Sequence, residues 1–490
     1  MVKNKIGKEK EKVEMRAGLE IHQQLDTGKL FCRCPSILRN DEPDWIVRRK
    51  LHAVAGESGQ VDLAAQHEAT KDKEFIYQGY KDTCCLIEYD EQPPLEIDSE
   101  ALKVVLEVAC LLNCEILPVT QIMRKTVIDG SNTSGFQRTM LIARKGFIET
   151  SFGKVGVETV CLEEDAARIV SNDDKKTTYR LDRLGIPLIE IATAPEIYFP
   201  EQVKEAALKI GEILRACKVK RGIGTIRQDV NVSTPGHPRV EIKGFQEPRI
   251  MIKTVELEIK RQNKEVQDNS DKKTKIQGHV RKSNVDGTTS FLRPMPGADR
   301  MYPETDLPLL HISRDLINSV KNNLPKLRSD IKGELVQKGL EEEMIKLVLG
   351  ENKLEEFESL LDVYNNSNFI AKVLLMLPKE IASHEKISVD KINELLNMDV
   401  LETVLGAVAS KKISENDVKN VLEQIVKGKS IKQALEIEKS DSSEIETEAA
   451  RLVKEKPGLS TGAYMGLIMA KFKGKVSGAE VSRVLQKLVK

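Results

Sequence analysis

Several segments in the first 250 residues alternate between apolar and polar residues with the period of two that is typical of a β-strand. In Gly18–His22, Leu19 and Ile21 fall on one side and Glu20 and His22 on the other. An antiparallel sheet with one wet face produces such a pattern without any function. Here the polar positions carry acids, His and Asn, which a solvent-facing side carries less often than Lys, Thr and Ser. The pattern therefore predicts strands whose polar face collects reactive groups.

The same alternation recurs later in the chain. In residues 226–233 the polar side holds Asp229 and Asn231, and in 240–243 it holds Glu241 and Lys243. Glu190 is the one carboxylate in the otherwise apolar run 187–192. An unpaired carboxylate in such a run would cost several kcal/mol.

The last 180 residues instead have apolar positions three and four apart, as in 345–349, 370–377 and 389–396. Fifteen of the 18 prolines lie before residue 311, and proline is unfavourable inside helices. We therefore predict an α+β chain with a sheet-rich domain at 1–310, a helical domain at 311–445 and a C-terminal domain at 446–490. The polar stretch 263–277 predicts a flexible loop or junction.

Composition supports a folded protein of roughly three domains: 490 residues, 40% hydrophobic and 31% charged. We find no apolar run of about 18 residues, the length that would span a membrane. The N-terminus leads into charged residues and not into the apolar core of a signal peptide. Eight cysteines are few for a disulfide scaffold of this length, so we expect a cytoplasmic location.

Charge is balanced over the chain, with 76 basic and 76 acidic residues, but not at its end. Residues 451–490 hold nine Lys or Arg against two Glu, a net charge of +7. Three of these lysines, Lys471, Lys473 and Lys475, cluster at a predicted helix end. The cluster is either a solvated helix face or a surface that contacts RNA phosphates.

The acids of the predicted strands, together with Glu163 and Glu164 in a further acidic cluster, would repel one another unless a cation joined them. Oxygen ligands suit Mg²⁺ where phosphates react. The sequence has neither a G-x-x-x-x-G-K-[ST] loop nor the kinase motifs. If the chain uses ATP, it does so with a carboxylate-held metal on a sheet.

Five motifs together resemble the GatB/GatE subunits of tRNA-dependent amidotransferases: GLEIHQQL (18–25), LEEDAARIV (162–170), RLGIPLIEIATAPEI (183–197), IRQDVNVS (226–233) and VEIKG (240–244). The likeness runs from about residue 15 to 310 and returns in the tail, which resembles the YqeY-like C-terminal domain of the family. Segments 129–139 and 286–308 resemble the archaeal GatE branch more than bacterial GatB.

The resemblance implies an antiparallel β cradle followed by helical domains. It implies that ATP phosphorylates the side-chain carboxylate of Glu-tRNA(Gln) and that ammonia then displaces the phosphate. An asparaginase-like GatD subunit would supply the ammonia, in a heterotetramer of two GatD and two GatE chains. The tail would bind tRNA(Gln) through Lys471, Lys473 and Lys475.

Carried over residue by residue, the resemblance assigns the catalytic Mg²⁺ site to six residues: Glu20, His22, Glu163, Glu164, Glu190 and Glu241. Asp229, Asn231 and Lys243 would support that site or contact substrate. Cys32, Cys34, Cys84 and Cys85 resemble a cysteine pattern that binds structural Zn²⁺ in some relatives, although adjacent Cys84 and Cys85 reach one ion poorly. The alternative is that these four are buried or free thiols.

The chain departs from GatE relatives in one respect. Those proteins carry an insertion resembling a domain of aspartyl-tRNA synthetase, whereas only about 40 residues separate Gly244 from Asp286 here. Two alternative functions stay open. One is a GatB-like subunit of the three-subunit amidotransferase, which could also amidate Asp-tRNA(Asn). The other is a noncatalytic tRNA-binding relative.

Overall fold

The computed structural model describes residues 15–52, 59, 70, 72–245, 248–269, 275–295, 301–436, 442–472 and 478–488. It divides into two compact units, residues 1–328 and 329–490. The first unit is built on β-sheet and the second on helices, which confirms the predicted α+β class with a mainly antiparallel cradle. In the described residues, no helix is both long and apolar enough to cross a membrane.

The strands of the first unit are β1 (Arg16–Gln24), β2 (Trp45–Arg49), β3 (Glu74–Gly79), β4 (Glu115–Ile116), β5 (Val119–Thr120), β6 (Ile122–Thr126), β7 (Phe136–Thr150), β8 (Gly153–Glu164), β9 (Arg168–Asn172), β10 (Lys176–Arg180), β11 (Pro187–Thr193), β12 (Ile226–Ser233), β13 (Val240–Phe245), β14 (His279–Ser283), β15 (Thr289–Pro294), β16 (Met301–Pro303) and β17 (Leu310–His311). Its helices are α1 (Ser99–Leu111), α2 (Pro200–Ala216), α3 (Pro248–Asn269) and α4 (Arg314–Asn322).

Among the described residues, eleven strands form one large sheet in the order β15-β14-β13-β12-β1-β11-β8-β7-β6-β16, with β4 beside β7. All neighbours in it are antiparallel except β13 and β14, which are joined by α3 and run parallel. A smaller sheet has the order β2-β3-β10-β9. Strand β1, which carries Glu20 and His22, lies near the middle of the large sheet, so both of its edges are paired.

The apolar face of the large sheet packs against its helices. Leu19, Ile21, Ile189, Ile191 and Val230 are fully buried in one continuous core with α1, α2 and α3. The side chain of Asp98 caps α1 by accepting a hydrogen bond from the Ala101 amide at 2.7 Å. Because one face of the sheet is committed to this core, the polar residues of the same strands must lie on the opposite face.

The first unit ends one helix later than the predicted boundary at residue 310. Helix α4 belongs to it, since Val320 is buried in the core and Leu316 and Ile317 pack against that core.

Residues 263–269 are also not the predicted loop, because they continue α3 to Asn269. Polar side chains hold this helix in place: Gln262 accepts a hydrogen bond from the Thr234 amide at 2.9 Å, and Glu265 lies 3.3 Å from His237. The polarity of the stretch therefore does not stop the helix.

The second unit contains α5 (Arg328–Gln337), α6 (Glu342–Gly350), α7 (Leu354–Val363), α8 (Ser367–Ala371), a π-helical turn (Lys372–Met376), α9 (Leu377–Glu385), α10 (Val389–Leu395), α11 (Met398–Ala409), α12 (Glu415–Val426), α13 (Ile431–Leu435), α14 (Ser442–Glu455), α15 (Thr461–Lys471) and α16 (Gly478–Leu488). Residues 335–435 share one apolar core. Helices α14 to α16 share a separate core that includes Ile445, Tyr464 and Leu485. Two successive helical bundles agree with the predicted spacing of three and four.

Candidate active site

The centre of the polar face is a contact between two neighbouring strands. His22 of β1 is the register partner of Glu190 of β11, and its Nε2 lies 3.1 Å from Glu190 Oε2. On its other side β1 pairs with β12, where Glu20 faces Asp229. His22 Nε2 is also 3.6 Å from Glu20 Oε1. The alternation of three strands thus brings four of the predicted residues together.

Glu163 of β8 completes this cluster from the next strand. Its Oε1 lies 2.6 Å from Lys125 Nζ, and its Oε2 accepts a hydrogen bond from Gln137 Nε2 at 3.0 Å. Lys125 is also 3.7 Å from Glu190 Oε2. Ligand atoms of His22, Glu163 and Glu190 all lie within 4.8 Å of one another, and those of Glu20, His22 and Asp229 do the same.

Strand β13 borders the cluster through a lysine bridge. Lys243 Nζ lies 2.7 Å from Asp229 Oδ2 and 2.5 Å from Glu241 Oε1. Glu241 therefore sits beside the cluster, bound to Lys243, and is not one of the converging ligands. Asn231 of β12 is the register partner of Glu241. The buried Oδ1 of Asn231 has no hydrogen-bond donor among the described residues.

Like charges meet at this place. Burial and the nearby Glu190 carboxylate raise the pKa of Glu20, and His22 and Lys243 only partly offset this. Burial disfavours the His22 imidazolium, but the hydrogen bond and the charge of Glu190 outweigh it and raise the pKa of His22. Carboxylates packed this closely are stabilised by a cation, and each of the two groups offers two carboxylates and one imidazole, which a hard divalent metal can bind. The residues present thus fit Mg²⁺.

Glu164 does not join the other acids. Consecutive strand residues point to opposite faces, so Glu164 lies on the far side of the sheet from Glu163. It is buried there against Arg138, whose backbone amide donates to Glu164 Oε1 at 2.9 Å. The structure therefore brings Glu163, but not Glu164, together with the other predicted acids.

A second cluster lies near the small sheet. The sulfurs of Cys32, Cys34 and Cys85 and a Glu88 oxygen lie within 4.8 Å of one another. Two of the thiols contact Glu88: Cys32 Sγ and Cys85 Sγ each lie 3.1 Å from one of its carboxylate oxygens. Hydrogen bonds from Cys32 and Cys34 lower the pKa of the Cys85 thiol. Three sulfurs and one carboxylate are a donor set that fits Zn²⁺.

Cys84 does not belong to this cluster. It is buried in the apolar core of the small sheet with Tyr77 and Tyr179. Burial raises the pKa of its thiol. Glu88 takes the fourth place that the cysteine pattern assigned to Cys84.

Only part of the basic tail cluster falls in the described residues. Lys471 is the last residue of α15, as predicted, and its Nζ lies 2.6 Å from Glu448 Oε2. Lys473 and Lys475 lie outside the described residues. The charge of Lys471 is thus partly neutralised by an acid of its own domain.

Sequence reasoning missed three side chains at these sites: Lys125, Gln137 and Glu88. Lys125 and Gln137 are register partners on β6 and β7, so only strand pairing brings them to Glu163. Glu88 had a local signal, since it follows Cys85 by three residues in a turn and accepts a hydrogen bond from the Cys85 amide at 2.8 Å.

Comparison with known proteins gives two family matches. Residues 15–318 match the model described as the GatB/GatE catalytic domain, and residues 355–489 match a model described as a GatB domain. The second match begins well before residue 446 and covers helices of both bundles.

Curated relatives match over nearly their whole length. Proteins named as the E subunit of glutamyl-tRNA(Gln) amidotransferase are 37% identical in Methanocaldococcus jannaschii (98% of this chain, 99% of the relative), 34% in Methanococcus maripaludis (98% and 99%) and 32% in Pyrobaculum aerophilum (97% and 98%). The first alignment has 629 positions against the 490 residues of this chain, so at least 139 positions of that relative have no counterpart here.

Proposed function

Because the chain belongs to the GatB/GatE family, we propose that it is the subunit of an ATP-dependent amidotransferase that converts Glu-tRNA(Gln) to Gln-tRNA(Gln). The observation that carries the proposal is the convergence of His22, Glu163 and Glu190 on the polar face of the sheet, with Glu20 and Asp229 beside them. These residues come from four neighbouring strands that the family match covers.

The reaction has two balanced steps. A side-chain carboxylate oxygen of the tRNA-linked glutamate attacks the γ-phosphorus of ATP, which releases ADP and leaves an acyl phosphate. Ammonia then attacks the acyl carbon, phosphate leaves, and the amide forms. Catalysis of phosphoryl transfer rests mostly on positioning and on neutralising charge, so a rigid, charged surface is what the first step needs.

The residues of the sheet supply this surface. Glu190 holds the His22 imidazole by a hydrogen bond, and Lys125 and Gln137 hold both oxygens of Glu163. Lys243 fixes Asp229 and Glu241 in the same way. The opposite face of β1, β11 and β12 is packed in the core, which keeps the backbone of these residues in place.

We propose Mg²⁺ as the metal, held by His22, Glu163 and Glu190 or by Glu20, His22 and Asp229. When bound, it would neutralise the phosphate charges of ATP. Glu241, Lys243 and Asn231 would support the site from β13 and β12. We propose structural Zn²⁺ at Cys32, Cys34, Cys85 and Glu88.

The relatives are named as one subunit of an amidotransferase, which supports the proposal that this chain also works with partner subunits. We propose that the ammonia comes from a GatD-like asparaginase subunit, in a heterotetramer of two copies of each chain, and that the enzyme works in the cytoplasm. Co-purification with an asparaginase-like chain is the expected result. Co-purification with an amidase-like chain would favour the three-subunit amidotransferase, in which Asp-tRNA(Asn) can also be a substrate.

The test is transfer of the γ-phosphate of ATP in the presence of Glu-tRNA(Gln) without any ammonia source. We expect ADP formation that requires the glutamyl group, and amide formation only after ammonia is added. Glu158→Gln is a matched control, because Glu158 is exposed on β8, the strand that carries Glu163. ADP formation that does not depend on Glu-tRNA(Gln), or none at all, would contradict the proposal.

A further inference from the structure

A buried carboxylate at one end of the polar face is shared by two arginines. Asp165 Oδ1 lies 2.9 Å from Arg227 Nη2, and Asp165 Oδ2 lies 3.8 Å from Arg183 Nε. Gln24 Nε2 donates to the second oxygen at 2.6 Å. The Asp165 side chain is 1% exposed, so it is an internal anchor and not a surface acid.

This cluster adjoins the candidate active site. Arg227 of β12 is the register partner of His22 of β1, and opposed residues on paired strands carry neighbouring side chains on the same face. Gln24 lies two residues after His22 on β1, and Asp165 two residues after Glu163. Arg227 therefore lies beside His22 and two residues before Asp229, at the border of the carboxylate cluster.

The two arginines differ in how many hydrogen bonds hold their guanidinium groups. Arg183 is held by backbone oxygens, since its Nε and Nη2 donate to Ala166 and Ala167 at 2.7 and 2.8 Å. The side chain of Arg227 is 37% exposed, and Asp165 holds it through a single Nη2 atom. Its guanidinium carries five N–H donors, so donors are left for a ligand on the open side of the sheet.

Two guanidinium groups share one carboxylate here. Lys125 contacts two carboxylates, Glu163 and Glu190, and Lys243 contacts two others. Arg183 and Arg227 instead converge on one, while Asp182 next to Arg183 is already bound to Arg168 at 2.7 Å. Burial lowers the pKa of Arg183, Asp165 opposes this, and the like charge of Arg227 lowers it further. A second anion would relieve this repulsion.

We propose that Arg227, anchored by Asp165 and backed by Arg183, binds a phosphate group of the substrate beside the metal cluster. A guanidinium binds phosphate through two parallel hydrogen bonds, which fixes its orientation. In the proposed reaction this chemistry has two sources, the phosphates of ATP and the terminal phosphates of the aminoacylated RNA. The inference rests on the proposed function for the identity of its ligand.

The experiment compares Arg227→Gln and Arg227→Lys with the control Arg144→Gln, which alters an exposed arginine of β7. The complete enzyme with its partner subunit is used, and thermal unfolding is recorded for each variant. The KM for ATP and kcat of ADP formation with Glu-tRNA(Gln), and the Kd of uncharged tRNA(Gln), are measured separately. Arg227→Gln removes the charge, whereas Arg227→Lys keeps it and loses the paired geometry.

If the ligand is ATP, Arg227→Gln raises the KM for ATP about tenfold or more, with tRNA affinity unchanged and Arg227→Lys intermediate. If it is the RNA end, the Kd for tRNA rises by a similar factor and its salt dependence weakens, with the KM for ATP unchanged. The inference would be overturned if Arg227→Gln and Arg227→Lys both kept the KM for ATP and the Kd for tRNA within twofold of the unmodified enzyme. Should the unmodified enzyme form no ADP with Glu-tRNA(Gln), the proposed function fails, and equilibrium binding of Mg²⁺–ATP and of tRNA to the same variants still decides the role of Arg227.

Discussion

His22 and Glu190 lie directly opposite each other on antiparallel strands, and one hydrogen bond of 3.1 Å joins the imidazole to the carboxylate. This pair links the two candidate groups of metal ligands, because His22 belongs to both of them. A change at either residue should therefore disturb both groups, whereas a change at the border of the cluster should disturb one.

Glu190→Gln should lower ATP-dependent activation of Glu-tRNA(Gln) by at least about a hundredfold, because it removes a proposed ligand of the Mg²⁺ that would neutralise the phosphate charge. Binding of tRNA should stay within about twofold, since most RNA phosphates bind elsewhere. Glu241→Gln should have a smaller effect, because Glu241 acts through Lys243. Normal ADP formation in Glu190→Gln would refute the metal assignment.

Zinc content tests the cysteine cluster. Protein prepared without chelator should contain up to one equivalent of Zn²⁺, and Cys32→Ser with Cys34→Ser should lose it together with thermal stability, because metal binding contributes to folding. Cys85→Ser should lose the metal as well. Cys84→Ser is the control, since Cys84 lies in the apolar core and should keep it. Absence of zinc in the unmodified protein would identify all four as ordinary thiols.

Removal of the tail should weaken tRNA binding. The deletion should begin at residue 442, since α14 to α16 share one core and a cut inside α14 would expose it. We expect lower affinity for tRNA(Gln) and a flatter salt dependence, because fewer phosphate contacts release fewer counterions. ADP formation with a minimal glutamyl-RNA should survive.

The single change Lys471→Ala should have little effect on tRNA affinity, since Lys471 is bound to Glu448. If the truncated protein binds full-length tRNA(Gln) as tightly as the intact one at the same salt concentration, the basic tail is a solvated helix face.

Acid should destabilise the first unit through Glu304. Burial alone would raise the pKa of this carboxyl, but Arg124 and Arg138 outweigh it and lower the pKa to about 2 from an ordinary 4.5. A lowered folded-state pKa contributes stability above pH 4.5 that is lost as the pH falls toward 2, up to about 3 kcal/mol.

In Glu304→Gln the free energy of unfolding should therefore change less between pH 5 and pH 3. The exposed Glu256 in the same unit provides the control variant Glu256→Gln. Urea unfolding can be followed by the fluorescence of Trp45, the one tryptophan of the chain. Parallel pH curves for Glu304→Gln and the unmodified protein would contradict this assignment.

The sequence predicts much of the fold and part of the candidate site. Period-two alternation placed Glu20, His22, Glu190 and Asp229 on polar strand faces, and the large sheet confirms those faces. The same rule already separates Glu163 from Glu164, but motif matching kept them together. Lys125 and Gln137 could not be found, because their contacts depend on which strands become neighbours. The helix at 263–269 could not be predicted from its polar composition, because Glu265 contacts His237, 28 residues away in the sequence.

The parallel pair β13 and β14 with helix α3 between them is a complete crossover, and only residues 270–274 separate the described end of α3 from the approach to β14. Hydrogen bonds between β13 and β14 fix their register. The connection after α3 does not. Since the entropy of closing a loop grows only slowly with its length, five residues or a whole folded module could stand there at similar cost. An accessory module inserted at this position would thus leave the pairing of β13 with β14 unchanged.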